Sequence, residues 1–245
     1  MRTDPAALFL FAHQDDEFGV YHAIDLCVAR GQRVVCAYLT RGDPRRNGES
    51  VAVLTAMGVA RGDIVFAGDA LAIDDGSLPA HLAQAGEWIG GWFDSFDAIG
   101  QVCVTAWEGG HHDHDALHAL AVHAADSRAL LSRLRQYSLY NGHRLPGALF
   151  RVLSPLAANG PASVTPIPWP SRVRHLRQCL RYPSQRKTWL GLFPFVLLHY
   201  LLRGVQRLQP VSMARLDERP HAGPLFYERR FGFSWEQMQA RLAGQ

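Results

Sequence analysis

Short, continuously apolar runs alternate with helix-length segments through the first half of the chain, and this alternation restricts the fold more than any other feature. The apolar runs cover residues 7–11, 34–39, 64–66 and 98–106. Helical patterns lie at about 16–29, 50–57 and 78–93. Strands that are apolar on both faces are typical of parallel sheets covered by helices on both sides. The sequence therefore predicts an α/β fold with a doubly wound, Rossmann-like, mainly parallel sheet.

The chain is long enough for one large domain with a substantial core. It has 245 residues, of which 48% are apolar and 19% charged, as is typical of globular proteins. We expect a single domain over 1–245, whose core at 1–153 contains both motifs described below. The remainder, 154–245, is expected to form a proline-rich loop at 156–170, then basic, arginine-rich helices and an aromatic tail packed on that core.

The cysteine spacing argues against structural cross-links. Cys27, Cys36, Cys103 and Cys179 are scattered, with no C-x-x-C pair. Neither a disulfide framework nor a cysteine zinc site is therefore expected, and we expect a reducing, cytoplasmic compartment. A short apolar run near the N-terminus ends at His13, unlike the pattern of a signal peptide.

The first cluster of chemically active residues, Ala12-His-Gln-Asp-Asp-Glu17, directly follows the first apolar run. Ligands bind at the carboxyl ends of parallel strands, so these side chains stand where a site is expected. If the turn is helical, His13 and Asp16 share a face and could bind one cation, whereas Asp15 points roughly 100° away. The acids could instead only complement the helix dipole. The adjoining histidine favours a functional site.

The second cluster, Trp107-Glu-Gly-Gly-His-His-Asp-His-Asp115, again follows an apolar run. Three histidines and two acids within five residues form a dense set of metal ligands, and the two glycines allow close approach of the backbone. Because His111 and His114 are three residues apart, one can bind a metal while the other faces the reacting group. Other histidines at helical positions are expected to be solvated or packed, namely His22, His81, His118 and His123.

Both clusters resemble motifs of a known family. Ala12-His-Gln-Asp-Asp-Glu17 is similar to the A-H-P-D-D-E motif of the LmbE-like, or PIG-L, family of metal-dependent N-deacetylases, and His111-His-Asp-His114 resembles its H-P-D-H motif. Thr40-Arg-Gly-Asp43 resembles the family's T-x-G stretch, so the likeness covers about the first half of the chain. Gln14 and His112 replace the prolines of the two motifs, which supply backbone restriction rather than chemistry.

The resemblance implies a metal site and an activity. The ligands would be His13, Asp16 and His114, and the metal would be Zn²⁺. Two histidines and one carboxylate with an open position for water are typical of catalytic zinc, although iron(II) suits the same ligands. The implied reaction removes the acetyl group from an N-acetylated amino sugar of the N-acetylglucosamine type, and this part rests on the resemblance alone.

The resemblance also implies roles for residues around the metal. Asp15 would be the general base, and His111, as an imidazolium, would assist the oxyanion or the leaving amine. Asp113 would orient His111, and Arg41 in the third motif would bind the substrate. Some family members have a tyrosine two residues before the first histidine of the second motif. Gly109 occupies that position, so a tyrosine acting on the oxyanion must come from elsewhere in the chain.

Two other functions are compatible with parts of the sequence. His13-Gln-Asp15 spells the H-x-D pattern of non-haem iron(II) oxygenases, but enzymes of that type are built on antiparallel jelly-roll sheets. The chain could also be a non-catalytic, arginine-rich module for anionic lipid or glycan, which would leave both motifs without a role. The deacetylase interpretation uses both motifs, and we therefore expect that activity.

Charge is distributed unevenly along the chain. Residues 1–126 contain 18 acidic and 7 basic side chains, whereas 127–216 contain 14 basic and no acidic ones. The basic segment either packs on the acidic half or binds an anionic partner, and no nucleic-acid partner is expected. Its most apolar stretch, 189–202, is shorter than the ~20 residues of a membrane span. We expect a buried helix there; the alternative is peripheral contact with an anionic membrane that brings the enzyme to a lipid-linked sugar.

Overall fold

The computed structural model describes residues 5–147 and 149–244. The strands are β1 (Ala6–Phe11), β2 (Val34–Tyr38), β3 (Ile64–Phe66), β4 (Ile99–Thr105), β5 (Leu134–Tyr137), β6 (Tyr140–Asn141), β7 (Arg151–Val152), β8 (Ser163–Pro166) and β9 (Val205–Pro210). The α-helices are α1 (Tyr21–Ala29), α2 (Pro44–Ala56), α3 (Ala67–Leu71), α4 (Leu82–Asp94), α5 (His112–Asp126), α6 (Trp169–Cys179), α7 (Arg186–Leu202), α8 (Phe226–Phe231) and α9 (Trp235–Leu242).

Seven strands form one sheet in the order β3-β2-β1-β4-β5-β9-β8. The first five run parallel, and β9 and β8 continue the sheet in antiparallel pairings. The expected α/β fold with a mainly parallel, doubly wound sheet is therefore confirmed. The chain proceeds outward from β1 to β3 and then crosses to the other side of β1 at β4, so the strand order reverses between β1 and β4. Such reversal points are where parallel α/β sheets bind ligands.

Both faces of the sheet are buried at its central strands, as the apolar runs predict. Along β1, Leu8 and Leu10 point into a core with α4 and α5, whereas Phe9 and Phe11 point into a second core with α1, α2, α6 and α7. All four side chains are fully buried. A continuous apolar sequence is required here because successive residues of a strand face opposite sides.

Three helix boundaries differ from those read from the sequence. Of the helix expected at 78–93, the first part is a 3₁₀ turn at Leu78–Ala80, and α4 begins only at Leu82. The expected helix at 16–29 is divided into a 3₁₀ turn at Asp16–Gly19 and the α-helix α1. Helix α2 begins at Pro44 rather than at about residue 50, because the Asp43 carboxylate accepts the backbone N–H of Arg46 at 2.7 Å and Pro44 occupies the first helical position. Both are standard helix-start signals.

The segment at 156–170, expected to be a loop because of its prolines, contains the strand β8. This strand pairs with β9 alone and lies at the edge of the sheet. A proline at an edge can direct its missing N–H away from the neighbouring strand, so Pro166 is compatible with strand structure there. The loop prediction was therefore wrong for these four residues.

The expectation of a buried helix at 189–202 is only half correct. Trp189, Val196 and Tyr200 of α7 are buried, but Leu190 and Leu202 on the opposite side are about four-fifths exposed, at 81% and 79%. A strongly apolar helix covered on one side only leaves an apolar surface in water. None of the helices formed by residues 5–147 and 149–244 combines the length and apolar character that crossing a membrane requires.

Candidate metal centre

Two polar segments meet beyond the carboxyl ends of the neighbouring strands β1 and β4. The first is the turn that follows β1 and contains His13 and Asp16. The second is the first turn of α5, which follows β4 and contains His114. Because these strands pair in parallel, the segments after them emerge at the same edge of the sheet, where its order reverses.

The three expected metal ligands converge there. His13 Nδ1 lies 3.1 Å from His114 Nε2, and this Nε2 lies 3.1 Å from Asp16 Oδ1. Asp16 Oδ2 lies 3.5 Å from His13 Nδ1. In a tetrahedral site with metal–ligand distances of about 2.0–2.1 Å, neighbouring ligand atoms lie about 3.4 Å apart. The three side chains are buried and fit one small divalent cation.

The electrostatics of the cluster favour a positive charge at the same place. Burial by itself lowers the pKa of His13, but the carboxylates of Asp75 and Asp16 outweigh it and raise that pKa well above its ordinary value. Burial likewise raises the pKa of Asp16, yet His114 and His13 hold it well below its usual range. A site that attracts a proton in this way also suits a metal cation.

The second ring nitrogen of His13 is held by carboxylates. Its Nε2 lies 2.9 Å from Asp113 Oδ2 and 3.2 Å from Asp75 Oδ1. The Asp113 carboxylate also accepts backbone N–H groups from Gly76 at 2.6 Å and Leu78 at 3.0 Å, which fix its position. A carboxylate on the far nitrogen of a ligating histidine sets the tautomer and orientation of the ring.

This arrangement corrects the expected role of Asp113. Its carboxylate is 3.9 Å from His111 Nδ1, too far for a hydrogen bond, and contacts His13 instead. The backbone of Asp113 does hold His111, because its N–H donates to His111 Nδ1 at 3.1 Å. In this geometry Asp113 orients a metal-ligand candidate with its side chain and His111 with its main chain.

The surroundings of His111 favour a neutral ring, whereas the sequence predicts an imidazolium. His111 is the N-cap of α5, and its Nδ1 accepts a hydrogen bond and therefore carries no proton. Burial, reinforced by the charge at His13, lowers the pKa of His111 well below its ordinary value. The ring proton consequently resides on Nε2, where it is available for donation.

Asp15 lies beside the cluster without belonging to any group of convergent metal-ligand atoms among the described residues. Its backbone has φ 104°, a left-handed conformation that is costly for a residue other than glycine. The Asp15 N–H donates to Glu17 Oε2 at 2.9 Å, and a guanidinium nitrogen of Arg46 lies 3.6 Å from Asp15 Oδ1. Burial raises the pKa of Asp15 to about 8, although Arg46 opposes that shift.

Three residues that help to build the site were missed in the sequence. Glu17 is fully buried, and one of its oxygens accepts the hydroxyl groups of Tyr38 at 2.8 Å and Tyr182 at 2.5 Å. Arg46 links Asp15 to Asp75, whose Oδ2 lies 2.7 Å from an Arg46 nitrogen. Glu17 stands within the first motif and could have been inferred, whereas Arg46 and Asp75 follow no pattern that marks them.

Comparison with known proteins rests on structure. No protein-family model matches the sequence, and no curated protein matches it either. The solved structure of A40926 pseudoaglycone deacetylase Dbv21 superposes with a TM-score of 0.63 at 19% identity, covering 91% of this chain and 100% of the other. The fold is the LmbE-like deacetylase fold. The motif resemblance is therefore confirmed as a statement about the fold.

Two further structures share the LmbE-like fold with this chain. The zinc-inhibited form of teicoplanin deacetylase Orf2 has a TM-score of 0.63 at 16% identity and covers 84% of this chain and 98% of its own. N,N'-diacetylchitobiose deacetylase from Pyrococcus horikoshii has a TM-score of 0.51 at 13% identity, with coverages of 84% and 82%. The matches extend beyond the motif-bearing first half into the arginine-rich part.

The structure explains why this chain has no tyrosine at Gly109. The backbone of Gly109 has φ +69°, and a Cβ there would lie 2.7 Å from Leu225 Cδ2. Tyr140 stands nearby instead: its ring centroid is 5.6 Å from that of His114. The buried Glu108 carboxylate fixes this position by accepting the Tyr140 N–H at 3.0 Å. Burial, together with the nearby carboxylates, raises the pKa of Tyr140 well above 10, so its hydroxyl is a donor.

Hydrogen bonds join the third motif to the first one. The Thr40 hydroxyl donates to the Ala12 carbonyl at 2.6 Å, and the side-chain amide of Gln14 donates to the Thr40 carbonyl at 3.1 Å. Gln14, which replaces the family proline, therefore contributes a hydrogen bond of its own. Arg41 is half exposed, and its Nε lies 2.5 Å from Asp74 Oδ1. No bound molecule tests the expectation that Arg41 binds substrate, which stays a prediction.

An apolar cavity of about 270 Å³ lies next to the metal centre. Two of its wall residues touch the site: the ring centroid of Phe231 is 4.6 Å from that of His111, and Tyr140 packs against His114. The other side of the cavity is formed by Gly191 and Leu192 of α7. The cavity thus lies between residues that pack on the candidate metal centre and the arginine-rich part of the chain.

Proposed function

We propose that the protein is a zinc-dependent N-deacetylase that removes the acetyl group from an N-acetylated amino sugar. The observation that carries the proposal is the convergence of three buried donor atoms from His13, Asp16 and His114, 3.1–3.5 Å apart, with Asp15 beside them and outside the ligand group. Three protein ligands and an adjacent carboxylate are the parts that metal-assisted hydrolysis requires.

The amide would be cleaved by water. A divalent metal held by the three ligands supplies Lewis acidity, which lowers the pKa of water and polarises the amide carbonyl. Asp15 removes the proton from the attacking water, whose oxygen bonds to the carbonyl carbon. When the C–N bond breaks, Asp15 returns that proton to the departing nitrogen, so that the amine and acetic acid leave, and the acid ionises to acetate. Arg46, 3.6 Å away, only partly opposes the burial that raises the pKa of Asp15 to about 8, and the positive charge of a bound metal would favour the carboxylate form that starts this cycle.

Two neutral donors are available for the negative charge that develops on the carbonyl oxygen. His111 carries its ring proton on Nε2 because Nδ1 accepts the Asp113 N–H. The Tyr140 ring packs against that of His114, and the pKa of its hydroxyl is raised well above 10. Donors positioned in a buried site stabilise an oxyanion more strongly than water does. We assign His111 and Tyr140 to this role.

Structural relatives support the substrate class. Proteins with the same fold are described as deacetylases of teicoplanin, of A40926 pseudoaglycone and of N,N'-diacetylchitobiose. One of them is described in a zinc-inhibited form, so occupancy by zinc and activation by zinc require separate measurements. Iron(II) suits the same ligands. The iron oxygenase alternative loses its basis, because the motifs here follow parallel strands.

Acetate release is the decisive measurement. The purified protein would be incubated with free, nucleotide-linked and lipid-linked N-acetylglucosamine, with and without a chelator. We expect acetate from at least one substrate, its loss on chelation, and recovery when Zn²⁺ or Fe²⁺ is added back in stoichiometric amount. Acetate release that persists in metal-free protein would refute the metal mechanism. Metal-loaded protein that releases no acetate from any substrate would refute the deacetylase assignment.

A further inference from the structure

Exposed apolar side chains are concentrated in one part of the molecule. Ten of the eleven large apolar residues that are exposed among the described residues lie between 149 and 202. Half of them belong to α7, namely Leu190, Phe195, Leu198, Leu201 and Leu202. Scattered exposed apolar residues need no explanation, but a contiguous patch marks a surface that contacts something apolar.

These five side chains share one face of the helix. At 3.6 residues per turn they fall within an arc of roughly 140°, and the buried residues Trp189, Val196 and Tyr200 occupy the opposite side. Leu190 is 81% exposed and Leu202 79% exposed at the two ends of the face. We call this face, defined by those five residues, the α7 apolar face.

Basic side chains that form no ion pair among the described residues surround this face. Lys187 is exposed on the first turn of α7, Arg203 follows its last residue, and Arg151 lies beside it on β7. Among the described residues, no salt bridge joins any of the three to a carboxylate. The chain from 127 to 216 contains no acid that could neutralise them locally. The α7 apolar face therefore has an uncompensated positive rim.

The same surface contains a groove of amphiphilic character. It has a volume of about 250 Å³ and is lined by Phe195, Leu198 and Leu202 together with Arg151 and Arg203. Apolar walls next to two guanidinium groups match a molecule with an acyl chain and an anionic head group. An acidic protein would pair with the basic rim but would leave the apolar groove without an apolar partner. A second copy of this chain would place one basic rim against another.

We propose that the α7 apolar face docks on an anionic lipid bilayer, with the helix lying in the interface and the basic rim at the head groups. This deepens the proposed function, because Gly191 on the same side of α7 also lines the cavity whose wall residues Phe231 and Tyr140 pack against His111 and His114. A docked protein would hold that cavity against the lipid, where an amphiphilic substrate resides. Docking itself requires neither the metal nor catalysis.

Co-sedimentation with vesicles tests docking without any activity measurement. The full-length protein would be mixed with vesicles of phosphatidylcholine alone or of phosphatidylcholine and phosphatidylglycerol, at salt from about 0.02 to about 0.5 M. We expect binding to the anionic vesicles at low salt and release as salt screens the rim. Failure to bind anionic vesicles at the lowest salt would overturn the proposal, whatever the result of the acetate assay.

Paired variants separate the apolar and electrostatic parts. Leu190→Ser with Leu202→Ser should weaken binding at least about tenfold, whereas Leu190→Met with Leu202→Met should preserve it. Lys187→Gln with Arg203→Gln should weaken binding about 25-fold, near fivefold per charge, and Arg61→Gln in the acidic half should leave it unchanged. Equal binding by the serine and methionine pairs would mean that the α7 apolar face does not contact the bilayer. A dimer in sedimentation equilibrium that the serine pair abolishes would assign the face to a second copy and overturn docking.

Discussion

Nδ1 of His13 lies 3.1 Å from Nε2 of His114, although 101 positions separate the two residues in the chain. Their proximity follows from sheet topology, because His13 comes after β1, His114 lies in the first turn after β4, and the two strands are parallel neighbours. The reversal of strand order between β1 and β4 leaves room beyond their carboxyl ends. A metal at this place would link the segment that follows β1 to the segment that follows β4.

Removing one ligand should abolish metal binding. His114→Ala leaves two of three ligands, and a site with three protein ligands has none to spare. We expect elemental analysis of the purified variant to find little bound zinc. His123→Ala, on the exposed side of the same helix, is the matched control and should retain the full amount. Full occupancy in His114→Ala would remove His114 from the ligand set.

Asp15 should be needed for turnover and dispensable for the metal. Asp15→Asn keeps the size of the side chain but cannot accept the proton of water, so kcat should fall by about 10² to 10⁴. Metal content should stay at the level of the exposed control Asp97→Asn. If the asparagine variant lost its metal together with its activity, Asp15 would have to be reassigned as a ligand.

The sheet and the convergence of the three candidate ligands could be predicted because they depend on local sequence. A strand buried on both faces must be apolar throughout, and the segments that follow β1 and β4 carry the histidines and acids. Residues that complete the site come from elsewhere. Arg46 belongs to α2, Asp75 to the loop after α3, and Tyr140 to β6. Only tertiary packing brings them to the candidate metal centre, and no sequence spacing indicates that they meet there.

The exposure of α7 could not be read from the sequence for a different reason. An apolar stretch of this length has the same pattern whether its second face contacts protein or lipid. The protonation state of His111 also could not be predicted from the sequence, because it depends on the backbone N–H of Asp113, which donates to Nδ1 of His111. Motif reading identifies side chains, whereas hydrogen bonds to the main chain decide their chemical state.

Asp113 should control metal affinity through His13. Its carboxylate lies 2.9 Å from Nε2 of His13, so Asp113→Asn weakens the partner that orients the ring. Loss of such a contact reduces metal affinity about 10- to 100-fold. Competition with a chromophoric chelator would measure the change, with the exposed Asp126→Asn on the same helix as control. If Asp113→Asn left the metal affinity unchanged but disturbed His111, the Asp113 side chain would orient His111, as first expected.

Asp25 should link the arginine-rich part to the core in a pH-dependent manner. Its Oδ2 lies 2.7 Å from Nε2 of His175 and 2.5 Å from a nitrogen of Arg174. Burial raises the pKa of Asp25, but these partners outweigh it and hold the pKa below its ordinary value. The stabilisation is therefore present above the unfolded pKa of about 3.9 and is lost as pH falls through the lower folded value.

Urea unfolding of Asp25→Asn would measure this linkage. We expect a loss of about 1 kcal/mol in the free energy of unfolding near pH 7, and a smaller loss at an acidic pH below the unfolded pKa of about 3.9. Asp97→Asn, which has no such partners among the described residues, should show no loss at either pH. A deficit of equal size at both pH values would mean that the contact does not depend on the ionised carboxylate.

Tyr140 should act on the reaction without acting on the metal. Its ring packs 5.6 Å from that of His114, and its hydroxyl is the donor that we assign to the oxyanion. Tyr140→Phe removes only that hydroxyl, so kcat should fall about 10²-fold while KM and zinc content stay nearly constant. Tyr227→Phe is the matched control, since the buried Tyr227 hydroxyl has no hydrogen-bond partner among the described residues. Wild-type kcat in Tyr140→Phe would leave His111 as the sole assigned donor.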